Sequence, residues 1–338
     1  MSHRNPPYDQ YDAKHFARYH GWLPASKEFM QATDKETIKY FTLCAKEAID
    51  VFMFEKEGLL ARDDEGRLHD VVICENDETV VPEILSLVRP PLLEALIIGN
   101  LEDILTIGAA LSNDVDDARS LEARKKQKNR DSFKQLEGYF PFDVVNFDTC
   151  GSLVSKPPGK NRLIKALERV FELQQLARAF LLLVTTPISG LNRKFENAFR
   201  EGLSQNVKSY DEIGQALRTS KGSDVYDKIE IESRIALGFA KSVILPAAQK
   251  YGWNTLHRGI YVYDSPSGAH RMMSSVVRLS AASEADRGTH VQDIVQIIKR
   301  MPEYYSSKNP TQKAEVRKHL DEIIQYREKV RGMYTLSS

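Results

Sequence analysis

The chain has 338 residues, 42% of them hydrophobic and 28% charged, with 47 basic residues balanced by 47 acidic ones. That length suits one large domain or one domain with additions, and the apolar content suffices for a full core. The composition excludes collagen, coiled-coil, disordered and disulfide-scaffold classes, and the charge balance excludes a protein held to nucleic acid by net charge.

In chain order, the start to about Asp34 is polar and aromatic, with Tyr8, Tyr11, Phe16, Tyr19 and Trp22, and reads as an irregular or helical arm on the main body. Tyr40 to Cys44 is strand-like, and Ala48 to Leu60 carries helical spacing at Ile49, Phe52, Met53 and Leu59-Leu60. Arg62 to Gly66 reads as a solvated turn. Asp70 to Cys74 is a buried strand, followed by a helix over Glu78 to Val88 that Pro90-Pro91 stops. Ala95 to Ile98 is the next strand, with a helix starting near Leu101.

Residues 112–138 read as an insertion or extended helix, ahead of a strand over Phe142 to Asp148. Asn161 to Ala177 is an amphipathic helix, and Ala179 to Thr185 is the most continuous apolar run, as a central parallel strand should be. Residues 189–230 read as a second, helical insertion, and Ser233 to Tyr251 as a helix. Gly259 to Tyr263 and Met273 to Leu279 flank Asp264-Ser-Pro-Ser-Gly268, a hairpin signal. Two helices split by Asn309-Pro310 close the chain. Five strands alternating with helices predict an α/β fold, a doubly wound and mostly parallel sheet with an antiparallel hairpin at its end.

In such sheets ligands bind outside the carboxyl ends of the strands. The residues there are Cys44-Ala45-Lys46-Glu47, Glu75-Asn76-Asp77, Gly99-Asn100, Asp148-Thr149-Cys150-Gly151 and Thr185-Thr186. Glu75 is placed to accept both hydroxyls of a ribose, or else belongs to a solvated acidic turn in which Asn76 or Asp77 caps the next helix. Asn100 faces an adenine edge or is a plain turn residue. Asp148 positions a substrate amine or acts as a base, or else bonds the amides of Gly151 and Ser152 in a tight turn.

The series Val-Ile-Cys-Glu75-Asn-Asp, Ile-Ile-Gly-Asn100-Leu-Glu-Asp and Phe-Asp-Val-Val-Asn-Phe-Asp148 resembles class I S-adenosylmethionine-dependent methyltransferases over roughly residues 38–280. The resemblance implies a Rossmann domain over residues 37–280 with insertions near 112–138 and 189–230. Residues 1–36 would be an N-terminal arm and 281–338 a C-terminal helical extension. It implies S-adenosylmethionine as cofactor, with Glu75 on the ribose, Asn100 on adenine and the first loop, Cys44, Ala45, Lys46 and Glu47, on the methionine part. It places Asp148 beside the methyl group as the catalytic residue, with Thr149, Gly151, Ser152, Lys156 and Lys160 toward the acceptor. The family's first loop is glycine-rich, whereas Cys44 to Ala48 contains no glycine; the more usual aspartate is Asn100 here. In the family's strand order, strand one lies between two and four. The rival expectation is a non-catalytic subunit of the same fold, with insertions and terminal helices as protein-binding surfaces.

The three cysteines, Cys44, Cys74 and Cys150, end putative strands one, two and four. They lack CxxC or CxH spacing, so small buried hydrophobes are expected and no metal. Their number argues against a disulfide framework and for a reducing, cytoplasmic compartment. The first thirty residues hold no apolar run, and no stretch of about 18 apolar residues exists, so neither a signal peptide nor a membrane span is expected. Two basic runs, Arg124 to Arg130 and Lys156 to Arg162, are candidate nucleic-acid contacts or solvated faces. His257, Arg258, His270 and Arg271 bracket the hairpin and line a substrate mouth or supply ordinary polarity.

Overall fold

The computed structural model describes residues 11–43, 47–89, 95–108, 121–149, 152–153, 156, 160–188, 193–217, 231–265, 268, 270–282, 294–295, 297–298 and 302–335. Its frame is one eight-stranded sheet in the order β3-β2-β1-β4-β5-β7-β6-β8. The strands are β1 (Tyr40–Thr42), β2 (Val71–Glu75), β3 (Leu96–Ile98), β4 (Val144–Asp148), β5 (Ala179–Pro187), β6 (Trp253–Asp264), β7 (Arg271–Ala281) and β8 (Glu303–Tyr304). Strands β1 to β5 pair in parallel. β7 runs antiparallel to both β5 and β6, and β8 adds a short parallel pairing to β6. The elements alternate and the hairpin forms as the sequence indicated, but β6 begins at Trp253 rather than Gly259 and α4 at Val81 rather than Glu78. β8 was not foreseen.

Two apolar layers sandwich the sheet because successive strand side chains point to opposite faces. One layer joins Tyr40, Ile73, Val144, Leu183 and Val276 to the helices of the first and last segments. These are α1 (Asp12–Ala17), α2 (Leu23–Ala32), α3 (Ile49–Lys56), α4 (Val81–Val88) and the long C-terminal helix α12 (Pro310–Thr335). The other joins Phe41, Val72, Cys74, Val145, Phe147, Leu182 and Val277 to the remaining helices. These are α5 (Leu101–Asp103), α6 (Leu121–Glu137), α7 (Arg162–Leu173), α8 (Arg193–Ser209), α9 (Asp211–Ala216), α10 (Ile231–Phe239) and α11 (Leu245–Lys250). The spans read as insertions contribute to this second layer: α6 through Phe133 and Leu136, α8 through Phe199, Leu203 and Val207.

Helix α7 shows how sequence makes an element. Its Ile164, Leu167, Val170 and Phe171 recur at three- and four-residue spacing and are buried. Each such burial contributes roughly 1.5–3 kcal/mol. Asn161 starts the helix, its side chain accepting the Leu163 amide at 3.1 Å. Just past the helix, Gln174 accepts from Phe142 N at 2.7 Å and donates to Phe142 O at 2.8 Å, fixing the entry to β4.

The aromatic arm is helical. A π-helical turn, Arg18–Trp22, separates α1 from α2. A Cβ at Gly21 would lie 2.3 Å from the Tyr261 ring, so only glycine lets this turn press against β6. One sequence expectation needs correction at Arg62, which is not solvated. Its guanidinium pairs with Glu55 at 2.6 Å and donates to the carbonyls of Gly66, Leu87 and Val88, with both side chains buried.

Among the described residues, no helix is long and apolar enough to cross a membrane.

Candidate functional site

The strand order fixes where a ligand can enter. β2 and β3 lie on one side of β1, and β4 and β5 on the other, so the order reverses between β1 and β4. The crevice at the carboxyl ends of those two strands is the topological switch point. α3 and α4 cover one face, and α6 and α7 the other. The residues bordering the crevice are the end of β1, the start of α3 and the end of β4.

Asp148 ends β4 there. Its carboxylate is met by the Lys14 ammonium of α1 at 2.7 Å, with 5% and 10% of the two side chains exposed. Two positions earlier on the same face, Asn146 belongs to a buried polar group in the sheet. Asp50 of α3 accepts from Tyr40 Oη at 2.5 Å, Thr42 Oγ1 at 2.6 Å and Asn146 Nδ2 at 3.3 Å, all on Oδ2. Asn146 Nδ2 also donates to Thr42 Oγ1 at 3.1 Å. Three neutral donors thus solvate a carboxylate that burial would otherwise penalise heavily. Burial raises the Tyr40 phenol well above its ordinary range, and the Asp50 charge adds to this.

A row of neighbours crosses the sheet from Asp148 through Thr185 and Ser274 to Tyr261. Ser274 Oγ receives the Trp22 indole N–H at 2.8 Å and the Thr185 hydroxyl at 3.2 Å. Tyr261 donates to His20 O at 2.9 Å. These bonds anchor the N-terminal helices over the strand ends.

The expected site residues divide. Cys44, Ala45, Lys46 and Gly151 lie outside the described residues, as does Cys150. Glu47 is buried, and Ala48 after it is left-handed at φ 48°, a conformation that glycine would adopt without cost. Glu75 is half-buried and its Oε1 accepts the Asp77 amide at 2.7 Å. Burial raises its carboxyl pKa, opposed by the Asp77 and Asn76 amides. Asp77 in turn accepts from Thr79 N at 2.9 Å and Thr79 Oγ1 at 2.7 Å, so the acidic turn is present, but neither Asn76 nor Asp77 caps α4, which starts after Val80 with no side-chain cap. Asn100 is exposed and caps α5, its Oδ1 accepting the Asp103 amide at 3.1 Å. Its Nδ2 has no partner among the described residues.

Thr149 is buried and turned to β5, with its amide and hydroxyl donating to Thr185 O at 3.0 and 3.1 Å. Ser152 accepts Asn161 Nδ2 on its carbonyl at 3.3 Å. Lys156 and Lys160 are exposed. Thus Glu75 and Asp148 flank β1, about 10 Å apart by strand spacing. Asn100 lies beyond them, after β3.

Cys74 is buried, donates to Gly99 O at 3.4 Å, and has its thiol pKa pushed far up by burial, as suits a core residue. Among the described residues no cluster of metal-ligating side chains occurs. The basic runs meet acidic neighbours: Lys128 pairs with Glu78 at 2.5 Å, Lys125 with Asp103 at 3.4 Å, and Arg162 with Asp103 at 2.5 Å. His257 is buried in β6, Arg258 pairs with Glu28, and Arg271 pairs with Asp264 at 3.4 Å; His270 is exposed.

Sequence reasoning missed Lys14, Asp50 and Asn146. Two left a signal: Asp50 is the one charge in Ile49-Asp50-Val51-Phe52-Met53-Phe54, and Asn146 interrupts an apolar strand. Lys14 left none, since its partner lies 134 positions away.

No curated protein matches the chain. A family described as PP_RS20740-like matches residues 119–235, about a third of the chain, running from the start of α6 through β4, α7, β5, α8 and α9 into α10 and including Asp148.

Proposed function

We propose that this protein binds S-adenosylmethionine at the carboxyl ends of β1, β2 and β3 and catalyses methyl transfer to an acceptor held at Asp148. The observation that carries the reading is the strand order. It sets β1 between β2 and β4, adds an antiparallel strand at the far side, and lines up Glu75, Asn100 and Asp148 along one edge. The donor set fits a nucleoside. Glu75 offers a half-buried carboxylate to the ribose hydroxyls, and Asn100, its Oδ1 engaged by the Asp103 amide, offers its Nδ2 to adenine. The left-handed Ala48 gives the first loop a turn that the family takes with glycine.

When bound, the cofactor supplies an activated methyl group. The chain's own residues orient the acceptor and exclude water, and most of the rate gain comes from that positioning. Asp148, already holding one ammonium at 2.7 Å, is suited to hold an acceptor amine. The single buried free thiol described, Cys74, accords with a reducing, cytoplasmic setting.

A second reading has its own observation. Lys14 sets one of the chain's own charges on Asp148, and Glu47 after β1 is buried, as would suit a non-catalytic binding subunit. Its partner, a protein or a nucleic acid, would then bind the terminal helices and the outer faces of α6 and α8.

Titration calorimetry with S-adenosylmethionine and S-adenosylhomocysteine separates the two. Micromolar binding that Glu75→Ala weakens at least tenfold is the expected result. No heat and no thermal stabilisation by either ligand would leave the binding-subunit reading.

A further inference from the structure

Helices α1 and α12 meet beside the crevice. His15 of α1 and His319 of α12 face each other with Nε2 and Nδ1 2.8 Å apart, both buried, their rings stacked at 5.1 Å. Tyr19 stacks on His319 at 4.2 Å. Arg317 of α12 pairs with Asp12 of α1 at 3.1 Å. His15 directly follows Lys14, whose ammonium sits on Asp148. The contact that fixes α1 to α12 therefore also fixes the side chain that covers Asp148.

We propose that the His15–His319 contact is a proton-sensitive latch that holds α1, and with it Lys14, over Asp148, and that acid releases it. The chemistry is that of two facing imidazole nitrogens. One must donate and the other accept, so the contact works with both rings neutral or with one proton added. With both rings protonated, two N–H groups oppose each other and two cations share a buried site. The charged groups around the pair are Lys56 of α3 and Glu57 just after it, Lys27 of α2, Asp12 and Lys14 of α1, Arg18 at the start of the π-helical turn, and Arg317, Asp321 and Glu322 of α12. Glu57 lies 3.8 Å from His319 Nε2, but Lys27 at 2.7 Å and Lys56 at 3.5 Å already hold that carboxylate. Glu322 is likewise engaged by Lys56 at 3.2 Å.

Burial lowers the His319 pKa below its ordinary value, against the pull of Glu57 and Glu322. The released state therefore binds protons more readily than the latched one. The latch is fully effective above about pH 6.5 and weakens as pH falls below it. The π-helical turn Arg18–Trp22 joins α1 to α2. Trp22 on Ser274 and His20 on Tyr261 hold that turn and α2 to the sheet, so release of the latch frees only the α1 segment ahead of Arg18.

Carbodiimide labelling of carboxylates in the intact protein, read by peptide mass spectrometry, tests this at Asp148. Exposed Asp64 serves as the internal reference. Between pH 7.0 and 5.5, labelling of Asp148 relative to Asp64 is expected to rise at least fivefold in the native protein. It is expected to stay flat in His319→Gln and in His15→Gln, which keep hydrogen-bonding groups but do not titrate. Hydrogen exchange of residues 12–17, corrected for intrinsic rate, should follow the same pattern. No rise in the native protein, or an equal rise in both variants, overturns the proposal. Neither readout depends on cofactor binding.

Discussion

Lys14 and Asp148 form a buried ion pair at 2.7 Å between the first helix and the end of the fourth strand. An ion pair is a costly way to close a crevice, because desolvating two charges offsets most of their attraction. Its position at the topological switch point ties the N-terminal helix to the site itself.

Lys14→Met removes the cation and leaves a buried carboxylate. The expected loss is about 3–5 kcal/mol in urea unfolding. The double variant Lys14→Met, Asp148→Leu should recover most of it, since an apolar pair of similar volume needs no solvation. If Lys14→Met alone costs under about 1 kcal/mol, as exposed pairs do, the pair is not buried in solution.

The group around Asp50 gives a second test. Tyr40→Phe deletes a hydrogen bond to a buried carboxylate and should cost about 1.5–3 kcal/mol. In the native protein, burial keeps the Tyr40 phenol neutral where ordinary tyrosines ionise, near about pH 10. Ultraviolet titration should therefore show the same number of tyrosines ionising below unfolding in native protein and in Tyr40→Phe. One fewer in the variant would contradict the burial.

Gly21 tests how the arm is seated. Gly21→Ala sets a methyl 2.3 Å from the Tyr261 ring and should cost about 1–3 kcal/mol. Adding Tyr261→Leu should remove most of that penalty, and a double-mutant cycle with no coupling would show that the turn does not press on β6.

Much of this architecture was legible in the sequence. Val71 to Glu75 and Ala179 to Pro187 are apolar runs of strand length, and the hairpin signal at Asp264 to Gly268 lies between β6 and β7. β8 is two residues whose strand character exists only beside β6. α8 reads as polar along the chain, and among its described side chains Phe199, Leu203 and Val207 enter the core as one stripe. The strand-end residues were identified by position, but their bonding was not. Asn100 and Glu75 turn out to serve their own turns as well, because an unmet amide lies within reach of each. Lys14 was out of reach, since only tertiary packing brings α1 over β4.

The most direct measurement is a crystal structure of the protein grown with S-adenosylhomocysteine. The account predicts density for the nucleoside at the carboxyl ends of β2 and β3, its ribose hydroxyls on Glu75 and its adenine edge on the Asn100 amide. Lys14 still seated on Asp148 with no nucleoside bound at saturating ligand, or ligand bound elsewhere, would contradict it.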